Sequence, residues 1–319
     1  MDQPLRPRGM CARAGGTRRA GAPGSPAGGA GAFSLPGRER ATLTRMPPAR
    51  RTSSPRDRRT YDPNRIRTAL INQVEAVTDA AHRLGPDSFA LPSGLPGWDV
   101  HHLLVHIAQQ IEAVPGQLGR PETEVSTRTP ELSLTRWALA TAGAAERLDE
   151  ATRREAAEVT DGPARIDRAV ADLEPVIESA VREDLVIPHD FGRMRMLDFT
   201  VSRLVELVVH SDDLARATGV RVALDRQATA AAVRVLADAL AAKAPGGSVE
   251  VRVPPFAVVQ AVEGPRHTRG TPPNVVETDP LTWIRLATGR TSWAEALATP
   301  HLAASGERSD LSALLPVLS

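Results

Sequence analysis

Two short segments, about a hundred residues apart, hold most of the side chains that can do chemistry. Residues 95–106 read LPGWDVHHLLVH and residues 204–214 read LVELVVHSDDL. His106 from the first, with Glu206 and His210 from the second, offers two imidazoles and one carboxylate. Three such ligands leave one position open on a tetrahedral zinc, the arrangement of a catalytic site. Glu206 and His210 are four apart, so a helix sets them on one face, one turn from each other. His106 must then come from a facing helix, as in sites built inside helical bundles. The spacing leaves a rival open, because His102 and His106 are also four apart.

Periodicity pulls the other way. On the later helix Leu197, Val201, Leu204 and Val208 mark the apolar centre, and Glu206, His210 and Asp213 fall nearly opposite it. His106 likewise lies off the Leu103, Ile107, Ile111 stripe. Amphipathicity alone places all of these residues on a solvated face.

The elements that must position them are legible. Asp99 is the expected N-cap of a helix with the core stripe Val100, Leu103, Leu104, Ile107, Ile111 and Val114, stopped by Pro115-Gly116. The second helix spans 196–218 and closes at Gly219. Ile66, Leu70, Ile71, Val74 and Val77 predict a further helix over 62–83, with others over 132–156 and 164–182 and a loop at 188–192. Helices in up-and-down order with modest loops predict an α-helical bundle. After a helix at 226–242 the pattern changes. Residues 249–253 alternate, 257–262 form a short apolar run, 275–277 suggest another strand, and 283–288 and 293–298 read as helices. That texture predicts a small α+β domain. The expected division is a tail at 1–60, a bundle at 61–245 and the α+β domain at 246–319.

Composition narrows the function classes. The net charge of +1 conceals an asymmetry, since residues 1–60 hold 13 arginines against only Asp2, Glu39 and Asp57. The remainder is acidic, which argues against nucleic acid as partner of the folded part. The tail, rich in Arg, Pro, Gly and Ala, lacks the apolar content to offset its ordering entropy and is expected to be disordered. It reads either as an over-long gene start, with Met10 or Met46 as initiator, or as an arm for anionic surfaces. No apolar run approaches the ~20 residues of a membrane span, so no membrane partner is expected. Cys11, in the tail, is the one cysteine. The body therefore offers no thiolate nucleophile or ligand, and cysteine usage suits a cytoplasmic protein.

The pattern P-G-W-x-V-x-x-L-x-x-H at 96–106, followed by E-x-x-x-H-x-x-D-L at 206–214, resembles the mycothiol-dependent maleylpyruvate isomerase family, a branch of the DinB-like four-helix bundles. The resemblance covers about residues 62–220. It implies that His106, Glu206 and His210 bind the catalytic metal, zinc or another divalent ion, and that mycothiol is the thiol cofactor. This chain departs from the common pattern at His101 and His102, and at Asp99 where the cap is usually threonine, which leaves the substrate open. Residues 247–319, with VPPF at 253–256, EGPRHTRGTPPN at 263–274 and TDPLTW at 278–283, resemble bacterial orthologues of the sterol carrier protein fold.

The combined reading is a zinc-binding, mycothiol-dependent isomerase or S-transferase acting on a small electrophile. Arg203, one turn before Glu206, is a candidate for a substrate carboxylate, and Asp213 is a candidate for orienting His210. Arg266, His267 and Arg269 form a candidate anion-binding cluster. Two other readings compete: a non-enzymatic carrier holding an apolar ligand in a tunnel of the C-terminal domain, and a scaffold in which metal only stabilises the bundle.

Overall fold

The computed structural model describes residues 59–126, 130–264 and 272–318. The basic tail through residue 58 and the Arg266, His267, Arg269 cluster lie outside the described residues.

Helix α1 (Pro63–His82) starts at Asp62, whose carboxylate accepts from the Arg65 amide. It buries Ile66, Leu70, Val74 and Val77. Helix α2 (Val100–Leu118) is capped by Asp99, which accepts from the His102 amide; such a cap stabilises a helix by roughly 1 kcal/mol. The helix continues through Pro115, where the sequence predicted a stop. Only the last turn loses a hydrogen bond there, which is a smaller cost than a mid-helix proline.

The stretch expected as one helix over 132–156 is broken. It forms α3 (Leu134–Ala140), a tight turn and α4 (Ala145–Ala156). The stretch expected over 164–182 divides into α5 (Gly162–Leu173), a turn containing Pro175, and the single turn α6 (Ile177–Ala180). A small antiparallel sheet absent from the periodicity reading joins β1 (Glu124–Val125), β2 (Leu185–Ile187) and β3 (Met194–Arg195). Strands of two or three residues are too short to show alternation. Helix α7 (Met196–Thr218) follows and closes at Gly219, whose φ of 72° is the left-handed cap conformation.

Helices α1, α2, α5 and α7 pack as the bundle. Helix α8 (Arg226–Lys243) is lined by alanine, buries both sides, and packs against α1, α3 and α7 as well as the C-terminal sheet. In that sheet β4 (Val249–Val253) pairs antiparallel with β5 (Ala257–Ala261) and parallel with β6 (Val275–Thr278), and β6 pairs with β7 (Leu302–Ser305). Alternation is visible in β4, where Val249, Val251 and Val253 point inward. Helices α9 (Pro280–Ala287) and α10 (Trp293–Leu297) complete the domain, α9 bringing the fully buried Trp283. One apolar core runs from Ile66 through to Leu318 without a gap between bundle and sheet. No described helix is long and apolar enough to cross a membrane.

Candidate metal centre

Helices α2 and α7 face each other inside the bundle, and their polar residues meet between them. One ligand atom each from His106, Glu206 and His210 lies within 4.8 Å of the other two, the one such grouping of three potential ligands among the described residues. His210 Nε2 stands 3.4 Å from Glu206 Oε2, already the spacing of two ligands on a shared ion. The imidazoles of His106 and His210 meet edge to face, their centroids 4.8 Å apart.

The cluster is buried, contrary to its expected place on a solvated face. His106 and His210 are each 5% exposed, and Asp213 is 3% exposed. The physical reason is that α7 has neighbours all round: α1 and α2 within the bundle, α3 and α8 beyond. Its polar face is therefore an internal face, where ionic groups persist only if paired. Amphipathicity separates buried from exposed only for a helix with one covered side.

Each polar group has a partner. His210 Nδ1 donates to Asp213 Oδ2 at 3.1 Å, which turns Nε2 toward Glu206. Asp213 accepts in turn from Arg290, at 3.0 Å from Nη2, so a residue of the C-terminal domain braces the site. The adjacent pair Arg285–Asp212 is bidentate at 2.6 and 2.7 Å. On the α2 side, His106 Nδ1 contacts Thr152 Oγ1 of α4 at 3.3 Å, and its Nε2 accepts from the Gln110 amide at 3.0 Å. The Trp98 ring leans on His106 with centroids 5.0 Å apart, and its indole N–H is held by Asp149 at 2.6 Å.

The charge states follow from these contacts. Burial, aided by the His210 charge, pushes the His106 pKa down to about 3, so this imidazole is neutral. Burial alone would raise Glu206, but the His210 hydrogen bond and the Arg203 charge outweigh it and bring the carboxyl down to about 2. Burial would lower His210, yet Asp213 and Glu206 together raise it. Asp213, opposed by burial but bonded to His210 and close to Arg290, falls to about 2. His210 thus sits between two carboxylates that favour its protonated form, in the position where a metal cation would relieve the same negative charge.

The donor set fits a divalent metal. It offers a neutral imidazole, an anionic carboxylate and a second imidazole anchored through its other nitrogen, a combination suited to zinc. Arg203 lies beside the cluster, over the faces of Phe199 at 5.0 Å and Trp137 at 5.6 Å, and donates to Gln110 Oε1. Its charge also acts on the Glu206 carboxylate. The other two histidines of the first motif go elsewhere. His101 Nε2 bonds the Ala156 carbonyl at 3.0 Å, and His102 Nδ1 bonds its own helix cap, Asp99, at 2.6 Å. The rival pair His102 and His106 is therefore not assembled. The sequence reading missed Gln110, for which the i,i+4 spacing from His106 was the available signal; Thr152 and Arg290 had no local signal, since both arrive through tertiary contacts.

Comparison with known proteins agrees with this architecture. Residues 70–215 match the family model described as the mycothiol maleylpyruvate isomerase N-terminal domain, and residues 225–317 match that described as bacterial SCP ortholog. A crystal structure of the mycothiol-dependent maleylpyruvate isomerase superposes with a TM-score of 0.51 at 15% identity, covering 78% of this chain and 95% of that one. A structure of a histidine-to-alanine mutant of that enzyme gives 0.50 at the same identity and coverage. Among curated proteins no match was found.

Proposed function

We propose that this chain, whose residues 70–215 match the mycothiol maleylpyruvate isomerase N-terminal domain model and whose residues 225–317 match the bacterial SCP ortholog model, is a metal-dependent, mycothiol-using isomerase or S-transferase. Its substrate is a small electrophile. His106, Glu206 and His210 would hold the metal, with zinc favoured by the two nitrogen donors and one oxygen donor. When bound, such an ion supplies Lewis-acid activation of a small-molecule thiol at its open position.

The observation that carries the reading is the convergence of three metal-competent groups from two helices, two buried imidazoles and a half-buried carboxylate. The chain's own residues do the rest. Asp213 orients His210, and Trp98 packs on His106 to exclude water from one side. Arg203 is proposed to receive a substrate carboxylate, because its guanidinium sits over two aromatic rings beside the ligand cluster. The body of the chain has no cysteine, so thiol chemistry here needs a thiol from outside.

The C-terminal domain favours this reading over an apolar carrier. Val249, Val251, Val253, Ala261 and Val276 on the sheet's inner face are fully buried with Trp283 and Ile284, so side chains occupy the space a tunnel would need. Turnover separates catalysis from a purely structural metal. Maleylpyruvate is the first substrate to test, with other small unsaturated carboxylates after it. Conversion should require both metal and mycothiol. Activity that survives chelation, or proceeds equally without thiol, would refute the proposal.

A further inference from the structure

The hydrogen bonds behind His106 form a chain whose polarity is fixed from its far end. Glu155, on α4, is a carboxylate held by Arg165 Nε at 2.6 Å, so it can only accept. Gln109 Nε2 donates to it at 2.7 Å. The amide of Gln109 is thereby oriented, and its Oε1 points the other way, to Thr152. Thr152 donates its hydroxyl proton to that oxygen at 2.9 Å. With its one proton spent, the Thr152 oxygen faces His106 Nδ1 as an acceptor, at 3.3 Å. A neutral imidazole has one N–H, and an acceptor at Nδ1 draws it there.

We propose that Thr152 is a positioning residue for His106: by accepting from Nδ1–H it fixes the tautomer that presents the Nε2 lone pair to Glu206 and His210. The chain Glu155–Gln109–Thr152 carries that instruction from the protein surface to a residue with no exposure of its own, since Thr152 is 0% exposed. A second partner, the Gln110 amide, meets Nε2 from the other side at 3.0 Å. It cannot share that lone pair with a metal, so in a metal-loaded site Thr152 is the contact left to hold the ring. The consequence for metal affinity rests on the metal reading of the site, whereas the tautomer itself does not.

Partners of this kind typically change metal affinity by ~10–100-fold when removed. The test uses the full chain and zinc alone as probe. Nitrogen-15 NMR of the metal-free protein near neutral pH should show His106 protonated at Nδ1; protonation at Nε2 overturns the proposal. Zinc affinity, measured by chelator competition, should fall by ~10–100-fold in Thr152→Val, which keeps the shape and loses the hydroxyl. Thr152→Ser should restore it, a rescue that a packing role would not produce. If Thr152→Val does not fold, Gln109→Leu at a half-buried position frees the Thr152 hydroxyl to rotate and should weaken zinc in the same direction. Unchanged affinity in these variants overturns the proposal. A wild-type chain that takes up no zinc would sink the metal reading, while the NMR measurement would still decide the tautomer.

Discussion

The interiors of the two halves solve opposite problems. In the C-terminal half, β5 packs on α8 and α8 on α9, and the buried residues of β4 and these elements are valine, alanine, leucine, isoleucine and one tryptophan. Between α2 and α7 the interior instead holds His106, Gln110, Glu206, His210 and Asp213, with Thr152 behind them. The first arrangement gains from removing apolar area from water. The second gives up part of that gain, and each buried charge there must be matched by a partner. A fold accepts such a cost where geometry matters, which is why we propose the α2–α7 interface as the working part. The C-terminal half acts on it from outside, through Arg290 on Asp213 and Arg285 on Asp212.

Substitutions in the two interiors should therefore fail differently. Trp283→Ala should cost the most stability, about 3–5 kcal/mol for a fully buried tryptophan, read by denaturant unfolding, with metal stoichiometry unchanged in protein that remains folded. Loss of stoichiometry in folded Trp283→Ala would erase the distinction between the halves. His210→Ala should do the converse. Elemental analysis and chelator competition should show a fall in metal affinity of more than ~100-fold, beyond the range for outer partners, whereas His101→Ala retains the metal because His101 bonds a backbone carbonyl.

Arg290→Met sharpens the contrast, since it changes the C-terminal half and is read in the bundle. It should weaken metal binding by ~10–100-fold through Asp213 and His210. An unchanged affinity would reduce the Arg290 contact to a tether between the halves.

The smallest effect is one of pH. Asp213 titrates at about 2 in the fold, against about 3.9 when unfolded. A depressed carboxyl stabilises the fold fully above its unfolded value, and that contribution is lost as pH falls through its folded value. Metal-free protein should lose stability between roughly pH 4 and pH 2, and Asp213→Asn should flatten that part of the profile. A parallel profile in the variant would show that Asp213 is not the group responsible.

Local signals explain what was legible. Asp99, Gly219 and the Val249–Val253 alternation define their elements through caps and period, and the structure has all three. The break near Glu174 falls at Pro175, a local signal the apolar period overrode, whereas strands β1 to β3 are too short to leave a period to read. The ligand cluster shows both limits in one place. Its spacing on α7 was readable, but its burial was not, because a one-dimensional pattern does not say how many sides of a helix are covered. Thr152 and Arg290 are 46 and 77 residues from the groups they hold, beyond any motif.

The most direct test of the central claim is cobalt substitution of the metal-free wild-type chain, followed by its absorption spectrum with and without mycothiol. The account predicts one cobalt per chain, lost in His210→Ala, and a new thiolate-to-cobalt charge-transfer band when mycothiol is added. A chain that binds no cobalt, or a bound cobalt whose spectrum mycothiol leaves unchanged, would contradict it.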